Sequence, residues 1–145
     1  MAASYSYKKD IRIWDLTQMP KPGYEIHTEW RPLSVAYSPD GKFIASGSQD
    51  NTIKIWNDDG KEVLTLRGHT SDVTAIAYGP QGEFLVSCAE DKTARIWDVH
   101  SGKAIQVMKG HADHLTAITC SPDGKHVAVA SKGVINIHTL VRKVD

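Results

Sequence analysis

The chain has 145 residues, 41% hydrophobic and 23% charged, the proportions of a globular domain able to bury well over half of its unfolded surface. Seventeen lysines and arginines balance seventeen aspartates and glutamates with no run of like charge, which removes the electrostatic case for binding nucleic acid or an anionic membrane directly. No apolar run approaches the length of a bilayer span and Met1 to Lys9 has no leader pattern, so the expectation is an intracellular protein, cytoplasmic with the nucleus as the alternative.

Period-two patterning predicts short strands throughout and no helix. Residues 2–4 and 10–15 (DIRIWD) open the series, followed by a proline-containing loop from Thr17 to Gly23. Strands at 33–37, 43–48 and 52–57 (TIKIWN) come next, and Asp58-Asp59-Gly60 is a hairpin turn whose residues tolerate left-handed φ. The third group runs through 73–78, 84–88, 94–98 (ending TARIWD) and 104–108, with His100-Ser101-Gly102 as the matching hairpin turn. The last group has strands at 115–120 and 126–130 and a strand ending at Ile137-His138. Cys88 and Cys120 fall inside strands without zinc-site spacing and read as small buried hydrophobes.

Three registers recur together. Trp14, Trp56 and Trp97 lie 42 and 41 residues apart, and 41 residues further on stands His138. The turns Ser38-Pro39-Asp40-Gly41, Gly79-Pro80-Gln81-Gly82 and Ser121-Pro122-Asp123-Gly124 repeat at 41 and 42, and Gly68-His69 precedes Gly110-His111 by 42. Proline fixes φ early in such a turn, and glycine accepts the positive φ that closes it. A repeat of this length, built of short strands with Trp-Asp on the third, is the sequence sign of a β-propeller blade.

On these motifs the chain resembles the WD40-repeat family from about Ser4 to about Leu140, which implies an all-β fold of four-stranded antiparallel blades. The boundaries predicted are a partial blade at 1–29, blades at 30–67 and 68–109, and a degenerate or partial blade at 110–145. That is an arc of about three and a half blades, whereas propellers close with roughly four to eight. The expectation is therefore that its ends are covered by more chain, by another subunit or by self-association.

His69, Ser87 and Asp91 contain the side-chain types of a hydrolase triad. The resemblance implies instead a structural network in which Asp91 fixes His69, His69 bonds Ser87 and Ser87 meets the Trp97 indole. Ser46, Asp50 and Trp56 match three of the four positions one blade earlier, with His27 or Thr28 as the candidate fourth. In the last blade only His111 remains, since Val129 stands at the serine place and His138 at the tryptophan, so packing alone is expected to hold it.

His111-Ala-Asp-His114 offers two ligands, too few for a metal site, and no phosphate-binding or nucleophile motif occurs, so neither metal nor cofactor nor catalysis is expected. The resemblance places partner binding on the loops between outer and inner strands and on the second-to-third strand turns. That face carries Glu29, Trp30, Arg31, Gln49, Ser71, Asp72, Glu90, Asp113 and His114. Trp30 is either an interface anchor or packs beneath its own loop, which lacks Gly-His. Arginine two places after Trp-Asp, which marks adaptors of cullin ligases, is absent at Thr17, Asp59 and His100. The reading is a non-enzymatic protein-interaction scaffold, with a regulatory part of a larger enzyme or a subunit of a nucleic-acid-processing complex as the alternatives.

Overall fold

The computed structural model describes residues 2–5, 9–17 and 22–141, and every regular element among them is a strand. Fourteen strands form four sheets in sequence order. The first sheet holds β1 (Ala2–Tyr5), β2 (Asp10–Trp14) and β3 (Pro22–His27). The second holds β4 (Pro32–Tyr37), β5 (Phe43–Ser48), β6 (Ile53–Asn57) and β7 (Glu62–Leu66), and the third β8 (Val73–Tyr78), β9 (Phe84–Ala89), β10 (Ala94–Asp98) and β11 (Ala104–Met108). The fourth comprises β12 (Leu115–Cys120), β13 (His126–Ser131) and β14 (Val134–Thr139). Each is an antiparallel meander, that is, a propeller blade, and the four form an open arc. The proline-containing loop predicted through Gly23 ends sooner, because Pro22 already pairs with Trp14. No helix among the described residues is long and apolar enough to cross a membrane.

Local chemistry explains why the meanders recur. In the first-to-second strand turns Gly41, Gly82 and Gly124 adopt φ of 74°, 76° and 66°, a region that costs glycine nothing. Ser38 and Ser121 brace two of these turns by donating to Asp40 and Asp123 at 2.6 and 2.5 Å. The hairpins after β6 and β10 close on Asn57 and Asp98, whose side-chain oxygens accept two backbone N–H groups each. A register shift falls beside Trp14, Trp56 and Trp97 alike, so each tryptophan leaves its strand with the same twist.

The apolar core lies between blades. Ile11 and Ile13 of the first sheet pack with Ile44 and Trp56 of the second, and Ile53, Ile55 and Leu66 of the second pack with Val73, Leu85 and Trp97 of the third. Phe84, Val86 and Cys88 pack the other way, with Leu115, Val127 and Val129 of the fourth, so both faces of β9 are covered and all six of its residues are buried. The outer face of the fourth sheet has no such cover: Ile135 and Ile137 are 73% and 71% exposed.

The second and third blades pack closely at Gly47, where a Cβ would lie 2.7 Å from Val73 Cγ1 and 3.2 Å from Ile76 Cγ2. Gly47→Ala is expected to lower the free energy of urea unfolding by about 1–3 kcal/mol through overpacking. The exposed Val63→Ala is expected to change it by less than about 0.5 kcal/mol.

Candidate functional site

In the third blade a polar chain crosses from the core to the loops. The Trp97 indole N–H donates to Ser87 Oγ at 2.8 Å, and Ser87 Oγ lies 2.7 Å from His69 Nε2. Having accepted the indole hydrogen, the serine directs its own proton to Nε2, which leaves Nδ1 protonated to donate to Asp91 Oδ2 at 2.8 Å. Asp91 also accepts from Thr70 N at 3.0 Å, Thr93 N at 2.9 Å and Thr93 Oγ1 at 2.7 Å. Burial drives the His69 pKa down, outweighing the opposing pull of Asp91, so the ring is neutral as the chain requires. Burial works to raise Asp91, but the bonds from Thr93, His69 and Thr70 hold it below the usual carboxylate value. Ser87 is fully buried, so this trio has no route to a substrate. Gly68 completes the corner, since a Cβ there would crowd the Trp97 ring at 3.1 Å.

The other blades keep parts of this chain. In the second, Trp56 N–H donates to Ser46 Oγ at 2.9 Å, while Asp50 turns to its own loop and accepts from Ser48 and from Thr52 Oγ1. Neither His27 nor Thr28 joins it: His27 pairs with Asp10 at 2.9 Å, and Thr28 donates to the Trp30 carbonyl at 2.8 Å. A cavity of about 10 Å³ is bordered by Thr28, Trp30, Ser46 and Asp50, of which Ser46 and Asp50 are the counterparts of Ser87 and Asp91. In the fourth blade His111 and His138 meet edge to face at 5.2 Å. Packing is not its sole support, because the Asn136 amide donates to His111 Nδ1 at 3.3 Å from the strand position that Arg95 holds in the third blade. Burial, reinforced by His138, lowers the His111 pKa.

The network sits beneath the loops assigned to partner binding. Gln49 N donates to the Arg31 carbonyl at 3.1 Å and Glu90 N to that of Asp72 at 3.0 Å, so each second-to-third strand turn is tied to the loop entering its own blade. Asn51 and Lys92 take φ of 67° and 64° at the same place in successive turns, which fixes the course of both. Across the next junction Lys92 Nζ donates to the Ala112 carbonyl at 3.0 Å, and His114 Nδ1 lies 4.0 Å from Glu90 Oε2. Trp30 is 53% exposed, with the Lys9 ammonium 5.9 Å from its ring centre, so it stands out from its loop instead of packing beneath it. Arg31, Asp72 and Asp113 are half-buried, while Gln49, Glu90 and His114 are exposed.

Sequence reasoning missed the threonines. Thr52 and Thr93 stand two residues after Asp50 and Asp91, a 41-residue repeat that was available as a signal. It also missed the bonds between blades: Thr74 Oγ1 donates to the Leu115 carbonyl at 2.6 Å, and Ile76 N donates to Ser34 Oγ at 3.2 Å. Asp10, Glu25 and His27 form the one group of three metal-type ligands among the described residues, but Arg12 already holds Glu25 at 2.9 Å and His27 holds Asp10.

Stacked antiparallel meanders, three of the four carrying a tryptophan at the matching strand position, define a β-propeller repeat protein. The model of the family described as WD domain, G-beta repeat (WD40) matches residues 20–57, 60–98 and 102–138, and the chain belongs to that family. It is similar to the Ribosome biogenesis protein WDR12 homolog of Drosophila erecta, 34% identical over 74 residues, which cover 49% of this chain and 17% of that protein. It also resembles the General transcriptional corepressor TUP1 of Saccharomyces cerevisiae, 35% identical over 77 residues, covering 52% of this chain and 10% of the relative. The chain thus spans less than a fifth of the length of these relatives.

Asp91→Ala is expected to destabilise the protein by about 1–3 kcal/mol by leaving buried donors unpaired. Lys132→Ala, on an exposed turn, is expected to be near neutral, and equal shifts in thermal melting for the two would contradict the role given to Asp91.

Proposed function

We propose that this chain is part of a non-catalytic scaffold that displays a preformed loop surface to a protein partner. What carries the reading is the pinning of that surface: two turns are tied by backbone bonds to the loops beside them, and one of these turns is anchored through Asp91 and His69 to the core. A surface held this way binds without a large cost in ordering. Trp30, with Arg31 and Gln49 nearby in the loops and Asp72, Glu90, Asp113 and His114 further along the arc, supplies the contact groups. Tryptophan and arginine contribute disproportionately to interface energy. His69, Ser87, Asp91 and Trp97, with Ser46, Asp50, Trp56 and His111 in flanking blades, support the surface and do not contact the partner. Blades starting near residues 30, 68 and 110 are the display units. Neither cofactor nor metal is required, and the neutral charge balance gives no direct hold on nucleic acid or a membrane.

The exposed outer face of the fourth blade supports completion of the arc by further blades, from the same chain or another subunit. A second reading has a specific observation in its favour: the names of the relatives refer to ribosome biogenesis and to transcriptional corepression. On that reading the scaffold serves a nucleic-acid-processing complex through its protein contacts, and works in the nucleus instead of the cytoplasm.

Affinity isolation of the tagged full-length protein from its own cells tests the surface. Trp30→Ala combined with Glu90→Ala is expected to weaken recovery of the bound protein about thirtyfold, the effect of losing one interface anchor of about 2 kcal/mol. Unchanged recovery by a variant of unchanged melting temperature would contradict the assignment.

A further inference from the structure

On the opposite face of the arc, a groove of about 780 Å³ runs between the second and third blades, within the range of peptide and small-ligand sites. Its apolar lining comes from Ile55, Val63 and Leu64 of the second blade and Tyr78 and Val99 of the third. Val63 is 49% exposed although it is aliphatic. Asp40 and Glu83 stand on its rim, one from each first-to-second strand turn.

The acidic rim distinguishes this junction from its neighbours. Where Glu83 follows Gly82, the equivalent turns carry Lys42 after Gly41 and Lys125 after Gly124. At the next junction Gln81 takes the place of Asp40, Gln106 that of Leu64 and Cys120 that of Tyr78. The same repeat thus yields an apolar slot with two carboxylates here, and a more polar slot with a lysine one blade later. Asp40 is exposed, and the bonds from Ser38 and the Lys42 N–H hold its carboxyl below the usual carboxylate range, so it keeps its charge.

We propose that this groove binds a peptide segment of a partner protein bearing one aliphatic or aromatic anchor flanked by lysine or arginine. The anchor fills the slot beside Val63 and Leu64, and the flanking cations lie against Asp40 and Glu83. Apolar burial supplies affinity, and the carboxylates set the direction of the peptide and reject acidic sequences. This contact is separate from the Trp30 surface, so one scaffold holds two partners, or one partner at two points.

Fluorescence anisotropy on the full-length protein tests it with a short labelled peptide carrying a central leucine between two arginines. Comparison peptides replace the arginines with glutamates or the leucine with glycine. The arginine–leucine peptide is expected to bind about tenfold or more tightly than either comparison. Val63→Lys and Glu83→Lys are each expected to weaken it by about tenfold, whereas Ile105→Lys, at the matching position of the next outer strand and 58% exposed, should leave it within about twofold. Val63 and Glu83 are exposed, and circular dichroism confirms that each variant is folded; Glu83→Gln serves in its place if Glu83→Lys is not. Equal binding of the arginine and glutamate peptides, or binding undiminished by Val63→Lys, overturns the proposal. Either result leaves the Trp30 experiment untouched, because that substitution lies on the other face.

Discussion

Trp97 is where the two demands of this architecture meet. Its ring closes the apolar junction with Ile53, Ile55 and Leu66 of the preceding blade, while its N–H begins the polar chain that ends at Asp91. A stack of sheets buries both faces of its inner strands, and buried polar groups must find partners or cost stability. The third blade satisfies both conditions with one side chain. The position of the Glu90–Asp91–Lys92 turn, and with it the loop at Asp72, follows from that bond chain.

Moving outward from the third blade, the chain loosens in a definite order. The second blade keeps the tryptophan–serine bond and leaves a small cavity toward the turn, with Trp30 at its mouth. The fourth replaces serine with Val129 and tryptophan with His138, and Asn136 provides one hydrogen bond in partial substitution. Stiffness is therefore uneven along the arc. Of the groups proposed for contact, Glu90 and Asp72 have the firmest base, and the most prominent, Trp30, stands over a turn less firmly anchored than theirs. Such a division suits recognition in which a rigid part sets register and a more adaptable aromatic supplies area.

Much of this was legible in the residues. The strands that carry Trp56 and Trp97 and the turns at Gly41, Gly82 and Gly124 each answer to a local signal, period-two patterning or a required positive φ, and such signals survive without tertiary knowledge. The roles of His69 and Asp91 became readable only through family resemblance, because nothing local says that residues 22 apart will touch. The Asn136–His111 bond was not readable, since it depends on what a decayed blade does with the space of a lost tryptophan. The acidic groove lay further out of reach. Its parts come from several separated segments, and the one clue, Glu83 where Lys42 and Lys125 stand in the sister turns, gains meaning only when two blades are set side by side.

The claim that the Trp97–Ser87–His69–Asp91 chain locks the third blade more firmly than its neighbour is open to a direct reading by native-state hydrogen exchange of the indole N–H groups, followed by NMR. Trp97 is predicted to exchange only through global unfolding, and Trp56, whose serine has no histidine behind it, through a local opening of lower free energy. Equal protection of the two indoles, or faster exchange at Trp97, would contradict the account.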